Sequence, residues 1–264
     1  PRVMGIVNLT PDSFSDGGQF GSAAAAIAHC ERLVAEGADL LDLGAESSRP
    51  GAARIDADEE WRRLAPVLDA AVQLGVPVSV DTCKPEVMRR AIAAGADVIN
   101  DIQALQAPGA IEAVLGSEVG ICLMHMKGEP DTMAKLAVYD DVVAEVAAFL
   151  AQRAAALRQA GVAADRITLD PGYGFAKTSA QNLRLLAHQA ALASLGHPLL
   201  VGWSRKRTLG EVTGRAVDGR LAASLAAALK AVQHGAHILR VHDVAATVDA
   251  LKVWQAVSDN AGPN

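Results

Sequence analysis

The residues of this 264-residue chain that could do chemistry gather where its apolar runs stop. Seven runs end in side chains that are costly to bury without a purpose. They are Asn8; Asp81; Asn100 with Asp101; His125; Asp170; Ser204, Arg205 and Lys206; and Arg240, His242 and Asp243. Asp81, Asn100 and Asp170 offer a flat set of acceptors and an amide. Such a set suits a planar heterocycle with an amino group and a ring N–H, whose paired donors make two parallel bonds to a carboxylate. Lys206 adds a donor for a carbonyl or ring nitrogen of the same ligand. Asn8, Arg240 and His242 form a second, partly cationic patch suited to a phosphate or diphosphate, with Mg2+ held through oxygen ligands and water. Residue types alone therefore imply a heterocycle joined to a phosphate, with Lys206 as a Schiff-base lysine the competing reading.

The elements that must carry these side chains repeat along the chain. Short apolar runs at 3–9, 39–44, 77–82, 98–101, 120–125, 167–171, 198–204 and 237–243 alternate with alanine-rich amphipathic segments. Those segments span 23–36, 57–74, 85–94, 110–115, 140–160, 180–195, 219–233 and 245–258. Continuous apolar runs suit parallel strands covered on both faces, and strict alternation with helices implies a parallel sheet. Eight units in a chain near the usual barrel length of about 250 residues predict a single α/β domain over 1–264, a (β/α)8 TIM barrel. Three junctions, at Gly37, Gly95 and Gly235, share a Gly-Ala pair, and each Gly is expected to end its helix in a left-handed conformation. Barrel enzymes place their sites at the carboxyl ends of the strands, which is where the polar residues fall. Two long loops leave the same face, 10–18 and 46–51, and are expected to act as lids or substrate clamps.

Composition narrows the partners. The net charge of −6, with no basic block, argues against a nucleic-acid or membrane surface. No apolar run reaches the roughly 20 residues that span a bilayer. The first residues lead into a strand without a signal peptide, so a cytoplasmic location is expected. The three cysteines, Cys30, Cys83 and Cys122, match no metal or disulfide spacing and are expected to be free thiols.

Eight segments, in order from Met4 to Asp243, resemble the motifs of the dihydropteroate synthases. They are MGIVNLTPDSFSDGG at 4–18, DLGAESSRPG at 42–51, SVDTCKP at 79–85, INDI at 99–102, LMHM at 123–126, DPGYGF at 170–175, SRK at 204–206 and RVHD at 240–243. The resemblance implies a transferase of folate biosynthesis that condenses 6-hydroxymethyl-7,8-dihydropterin pyrophosphate with p-aminobenzoate, giving 7,8-dihydropteroate and pyrophosphate. It implies that Asp81, Asn100, Asp170 and Lys206 hold the pterin, and that Asn8, Arg240 and His242 hold the pyrophosphate, with Asn8 on Mg2+. Phe14, Ser48, Arg49, Pro50, Phe175 and the backbone at Lys206 and Arg207 would frame p-aminobenzoate, with Asp16 adding negative charge near the reacting carbon. Lys206, Asp81, Asp170 and Arg240 would then be the catalytic set. Sulfonamides, which imitate p-aminobenzoate, are expected inhibitors, and a homodimer is expected, with the small-residue helix at 221–230 able to pack against a second subunit. This chain departs from the commonest pattern at Ala45, Ser48 and Arg207. The Arg207 side chain either binds the p-aminobenzoate carboxylate or points to solvent while its N–H does so. The alternatives are a pterin-dependent methyltransferase, which would share Asp81, Asn100 and Asp170, and a non-catalytic pterin-binding paralogue.

Overall fold

A computed structural model describes residues 1–10, 18–47, 53–130 and 132–260, and within them each of the eight apolar runs contains a strand. The strands are β1 (Arg2–Asn8), β2 (Leu40–Gly44), β3 (Val78–Asp81), β4 (Val98–Asp101), β5 (Gly120–Met124), β6 (Ile167–Asp170), β7 (Leu200–Val201) and β8 (Ile238–Val241). They pair in parallel in the order β6-β5-β4-β3-β2-β1-β8-β7. A bridge between Leu169 and Leu199 joins the two ends and closes the barrel.

Successive strand residues face opposite ways, and the two faces have different cores. Val3, Val7, Leu41, Leu43, Val80, Ile99, Leu123 and Leu239 belong to the main apolar core shared with the helices. The intervening positions face the barrel axis. There Met4, Leu40, Cys122 and Leu200, with Ile238 against them, form a small apolar plug. Above that plug the inward positions turn polar, which sets the floor of the site.

The surrounding helices are α1 (Gly18–Ala35), α2 (Ala57–Ala71), α3 (Pro85–Ala93), α4 (Ala110–Val114), α5 (Val142–Gln159), α6 (Ser179–Ala187), α7 (Ala190–Ala193), α8 (Arg207–Thr213), α9 (Leu221–Gln233) and α10 (Val244–Asp259). Local chemistry starts several of them. Asp56 accepts from the Glu59 N–H to cap α2, and Thr178 and Gln181 form a reciprocal capping box on α6. Gly37, Gly95 and Gly235 take φ values of +97°, +97° and +90°, the left-handed stop expected at those junctions.

Three local features differ from the periodic pattern. The segment 180–195 is two helices, because the buried Gln189 turns inward between them, accepting from Tyr173 Oη at 2.9 Å and donating to the Ala231 carbonyl at 2.9 Å. Strand β7 keeps only two residues of 198–204, because 203–206 form a turn in which the Lys206 N–H donates to the Trp203 carbonyl. Helix α8 follows that turn; seven residues are too few to display a helical period. No helix among the described residues is long and apolar enough to cross a membrane.

Candidate active site

The inward positions above the plug carry a connected set of charged groups. On β2 the Asp42 carboxylate has no solvent exposure and accepts from Ser79 Oγ at 2.6 Å and from Arg240 Nε at 2.6 Å. Asn100 Nδ2 approaches it at 3.4 Å. Arg240 also donates from Nη2 to Asp81 at 3.1 Å, so one guanidinium joins β8 to β2 and β3. Register explains the grouping: Asp81 lies beside Asn100 on β4, and Asp42 beside Ser79 on β3.

The opposite wall is built by the loop after β6. Asp170 Oδ1 accepts from the Gly172 N–H at 2.7 Å, which fixes the carboxylate at the mouth. Gly172 has a φ of +66°, and a Cβ there would lie 2.0 Å from the His125 carbonyl oxygen, so only glycine fits. The loop wraps the buried ammonium of Lys177, which donates to the carbonyls of Gly172 and Phe175 at 3.0 Å each and meets His125 Nδ1 at 2.9 Å. This arrangement presents the Phe175 ring 4.4 Å from Lys206 Nζ, a cation–π contact.

Burial dominates the electrostatics. It pushes the Asp81 carboxyl up to about 7 against the pull of Arg240, with Asp42 adding to the rise. Burial also raises Asp170, opposed by its Gly172 hydrogen bond and by Lys206. It lowers Lys206 to about 8, with Asp170 acting the other way. Burial opposes the charge on Arg240 too, but Asp42 and Asp81 together hold it protonated above its ordinary range. His242 falls to about 4, through burial and then the charges of Arg205 and Arg240, so it is neutral near pH 7.

These shifts fix the sign of a pH dependence. Folding disfavours the charge on Asp81 and on Lys206. Through Asp81, stability declines as pH rises from its ordinary value of 3.8 towards about 7. Through Lys206, stability is reduced below about 8 and recovers towards 10.5. A site that needs Asp81 ionised and Lys206 protonated should give a kcat/KM profile that rises through about 7 and falls through about 8. A profile flat from pH 6 to 9 would show that neither ionisation governs turnover.

Asp81, Asn100, Asp170, Lys206 and Arg240 thus share one end of the barrel. Asn8 ends β1 opposite Gly44, on the same rim. His242 lies just past β8, its Nδ1 2.9 Å from Ser204 Oγ. Phe14, Asp16, Ser48, Arg49 and Pro50 lie outside the described residues. The Arg207 side chain is 82% exposed and pairs with Glu211 at 2.9 Å, so of its two expected orientations it takes the one towards solvent. His125 is a packed, hydrogen-bonded histidine, edge-on to Phe149. Asp101 accepts from the Gln103 and Leu105 N–H groups and so braces its turn.

Sequence reasoning missed Asp42, Ser79 and Lys177. Asp42 carried a signal: a carboxylate inside the apolar run Leu40–Gly44, at an inward position, needs a buried cation. Lys177 carried none, since a lysine in a polar loop reads as solvated. A further group, Lys84 bonded to Glu46 and to the buried Glu60, ties the start of the second loop to α2.

Comparison with known proteins places the chain in a family. The pterin binding enzyme family matches residues 4–242. A dihydropteroate synthase of Neisseria meningitidis serogroup C is 51% identical, over 98% of this chain and 94% of the relative. The chain belongs to the dihydropteroate synthase family. Among solved structures, the Xanthomonas albilineans dihydropteroate synthase with 4-aminobenzoic acid is 57% identical, with a TM-score of 0.94 over 100% of this chain and 94% of that one. The Yersinia pestis dihydropteroate synthase in complex with a sulfonamide drug is 43% identical, with a TM-score of 0.93 over 98% and 94% of the two chains. Membership makes the chain a transferase and disfavours the methyltransferase and non-catalytic alternatives.

Proposed function

We propose that the polar groups inside the barrel mouth bind 6-hydroxymethyl-7,8-dihydropterin diphosphate and pass its dihydropterin-methyl group to p-aminobenzoate, giving 7,8-dihydropteroate and diphosphate. One observation carries the assignment of residues. Arg240 is bonded to Asp81 and Asp42, and Lys206, set over the Phe175 ring, stands at the same end of the barrel. Asp170, Asn100 and Asp81 would accept from and donate to the edge of the pterin ring, and Lys206 would donate to its carbonyl or ring nitrogen.

The chemistry asks little of a base. As the C–O bond to the diphosphate breaks, the methylene carbon becomes cation-like and is stabilised by conjugation with the ring. Asp81 and Asp170 supply negative charge near it, in a site where burial strengthens that attraction. The p-aminobenzoate nitrogen forms the new C–N bond and then loses a proton. Phe14, Ser48, Arg49, Pro50 and Phe175, with the backbone at Lys206 and Arg207, would hold the p-aminobenzoate, and Asp16 would add to the negative field. These loop roles rest on the resemblance of their motifs. Sulfonamides would occupy the p-aminobenzoate position.

Arg240 and a neutral His242 N–H would face the departing diphosphate together with Asn8. Among the described residues no three His, Cys, Asp or Glu side chains converge on a metal position. The single amide oxygen of Asn8 fits a Mg2+ that arrives on the diphosphate with its water, rather than one caged by the protein. When bound, magnesium would neutralise charge on the leaving diphosphate.

A homodimer is supported by apolar side chains left open near one another in the chain's last two helices: Val217 in the short turn before α9, Leu221 at its start, and Val253 and Val257 on α10. A cytoplasmic location is supported by the free thiols of Cys30, Cys83 and Cys122.

The test is release of diphosphate from the pterin substrate, with and without p-aminobenzoate and Mg2+. Release that requires both, matched mole for mole by 7,8-dihydropteroate, is expected. Turnover unaffected by chelating Mg2+ would remove the metal from the reading.

A further inference from the structure

The residue before Lys206 has a backbone that arginine rarely adopts. Arg205 has a φ of +59°. It sits third in the turn closed by the Lys206 N–H donating to the Trp203 carbonyl at 3.2 Å, a position where positive φ favours glycine. Strain of this kind persists only where the surroundings hold it, and here they do so on several sides. The Arg205 N–H donates to Ser224 Oγ at 3.0 Å, and Arg220 donates to the Arg205 carbonyl at 3.1 Å. The Arg205 guanidinium makes two bonds to one carboxylate, from Nε to Asp243 Oδ2 at 3.1 Å and from Nη2 to Oδ1 at 2.6 Å.

Among the described residues, the Asp243 carboxylate makes no hydrogen bond other than these two. It stands at the N-cap of α10, yet its side chain makes no capping hydrogen bond. Its carboxylate faces Arg205, not the helix that it precedes. A single-residue reversal of φ at 205 would swing Lys206 away from Asp170 and Asp81.

We infer that Asp243 is a positioning residue for the reaction: its two-pronged hold on Arg205 keeps residue 205 left-handed and so aims Lys206 into the barrel. The inference rests on the reading of Lys206 given above. It also assigns Arg205 a structural task, with its guanidinium occupied by Asp243 and not offered to a ligand.

Glycine makes the inference testable, because it adopts positive φ without a clamp. Asp243→Asn should lower kcat/KM for the pterin diphosphate about tenfold, the size of coupling found within one ion-pair network. Pterin binding measured by calorimetry should weaken with it. Arg205→Gly should stay near wild type in both. The double variant Arg205→Gly/Asp243→Asn should match Arg205→Gly, since Asp243 then has nothing to hold. A double variant as impaired as Asp243→Asn, or an unimpaired Asp243→Asn, would overturn the inference. Arg205→Gly as impaired as Asp243→Asn would overturn it too, by showing that the guanidinium itself acts. If Asp243→Asn fails to fold, a folded, active double variant supports the inference and an unfolded one defeats it. Lys206→Ala assayed alongside keeps the two readings apart: turnover there removes Lys206 from the reaction, whereas an unrescued double variant removes only Asp243.

Discussion

Lys206→Ala is expected to lower kcat/KM for condensation by about 10²–10³, the usual loss when one preorganised donor is taken from a reacting site. The protein should stay folded. Lys206 is held at its place by a turn and a ring contact, and burial disfavours its charge, so truncation removes a group that the fold itself does not favour. Thermal melting of the ligand-free variant should match or exceed that of the wild type near pH 7. Normal turnover in Lys206→Ala would end its assignment. A collapse in melting temperature would mean that the lysine serves the fold before the reaction.

Asp42 should behave in the opposite way. Asp42→Ala leaves Arg240 with half of its partners and leaves the Ser79 hydroxyl without its acceptor. Breaking a buried pair from one side costs about 3–5 kcal/mol, a fall in melting temperature on the order of 10 °C for a domain of this size. Removing all three linked charges together, in Asp42→Leu/Asp81→Asn/Arg240→Met, should recover most of that stability while activity stays lost, because uncharged groups can replace a buried ionic set. Calorimetric melting and the condensation assay read the two effects separately. If Asp42→Ala melts like the wild type, the Asp42–Arg240 bond contributes nothing to holding the barrel, and the rim must be ordered by other contacts.

Much of this architecture was legible in the residues. Period and spacing located the eight strands, because parallel strands buried on both faces leave continuous apolar runs and glycines mark the helix ends. The same pattern singled out Asp81, Asn100, Asp170, Lys206 and Arg240, since each stands where a strand meets its loop. What stayed hidden depended on side-chain partners. Asp42 lies inside its strand, so a rule that looks at strand ends passes over it. Lys177 reads as a surface lysine until the loop folds its carbonyls around it. The break between α6 and α7 turns on Gln189, whose partners lie 16 residues back at Tyr173 and 42 residues on at Ala231. Arg205 carries no sequence signal for positive φ, because the clamp that permits it comes from 38 residues away.

The brevity of β7 has its own consequence. Between β6 and β7, among the described residues, the wall is joined by a single bridge at Leu169 and Leu199, whereas β1 and β2 share a five-residue register. Asp170 stands just above one side of this seam and Lys206 follows the turn on the other. A flat ligand grasped by both residues would act as a rivet across the stave joint least secured by the backbone. The barrel would then be tightened by its own substrate at the place where main-chain stitching runs out.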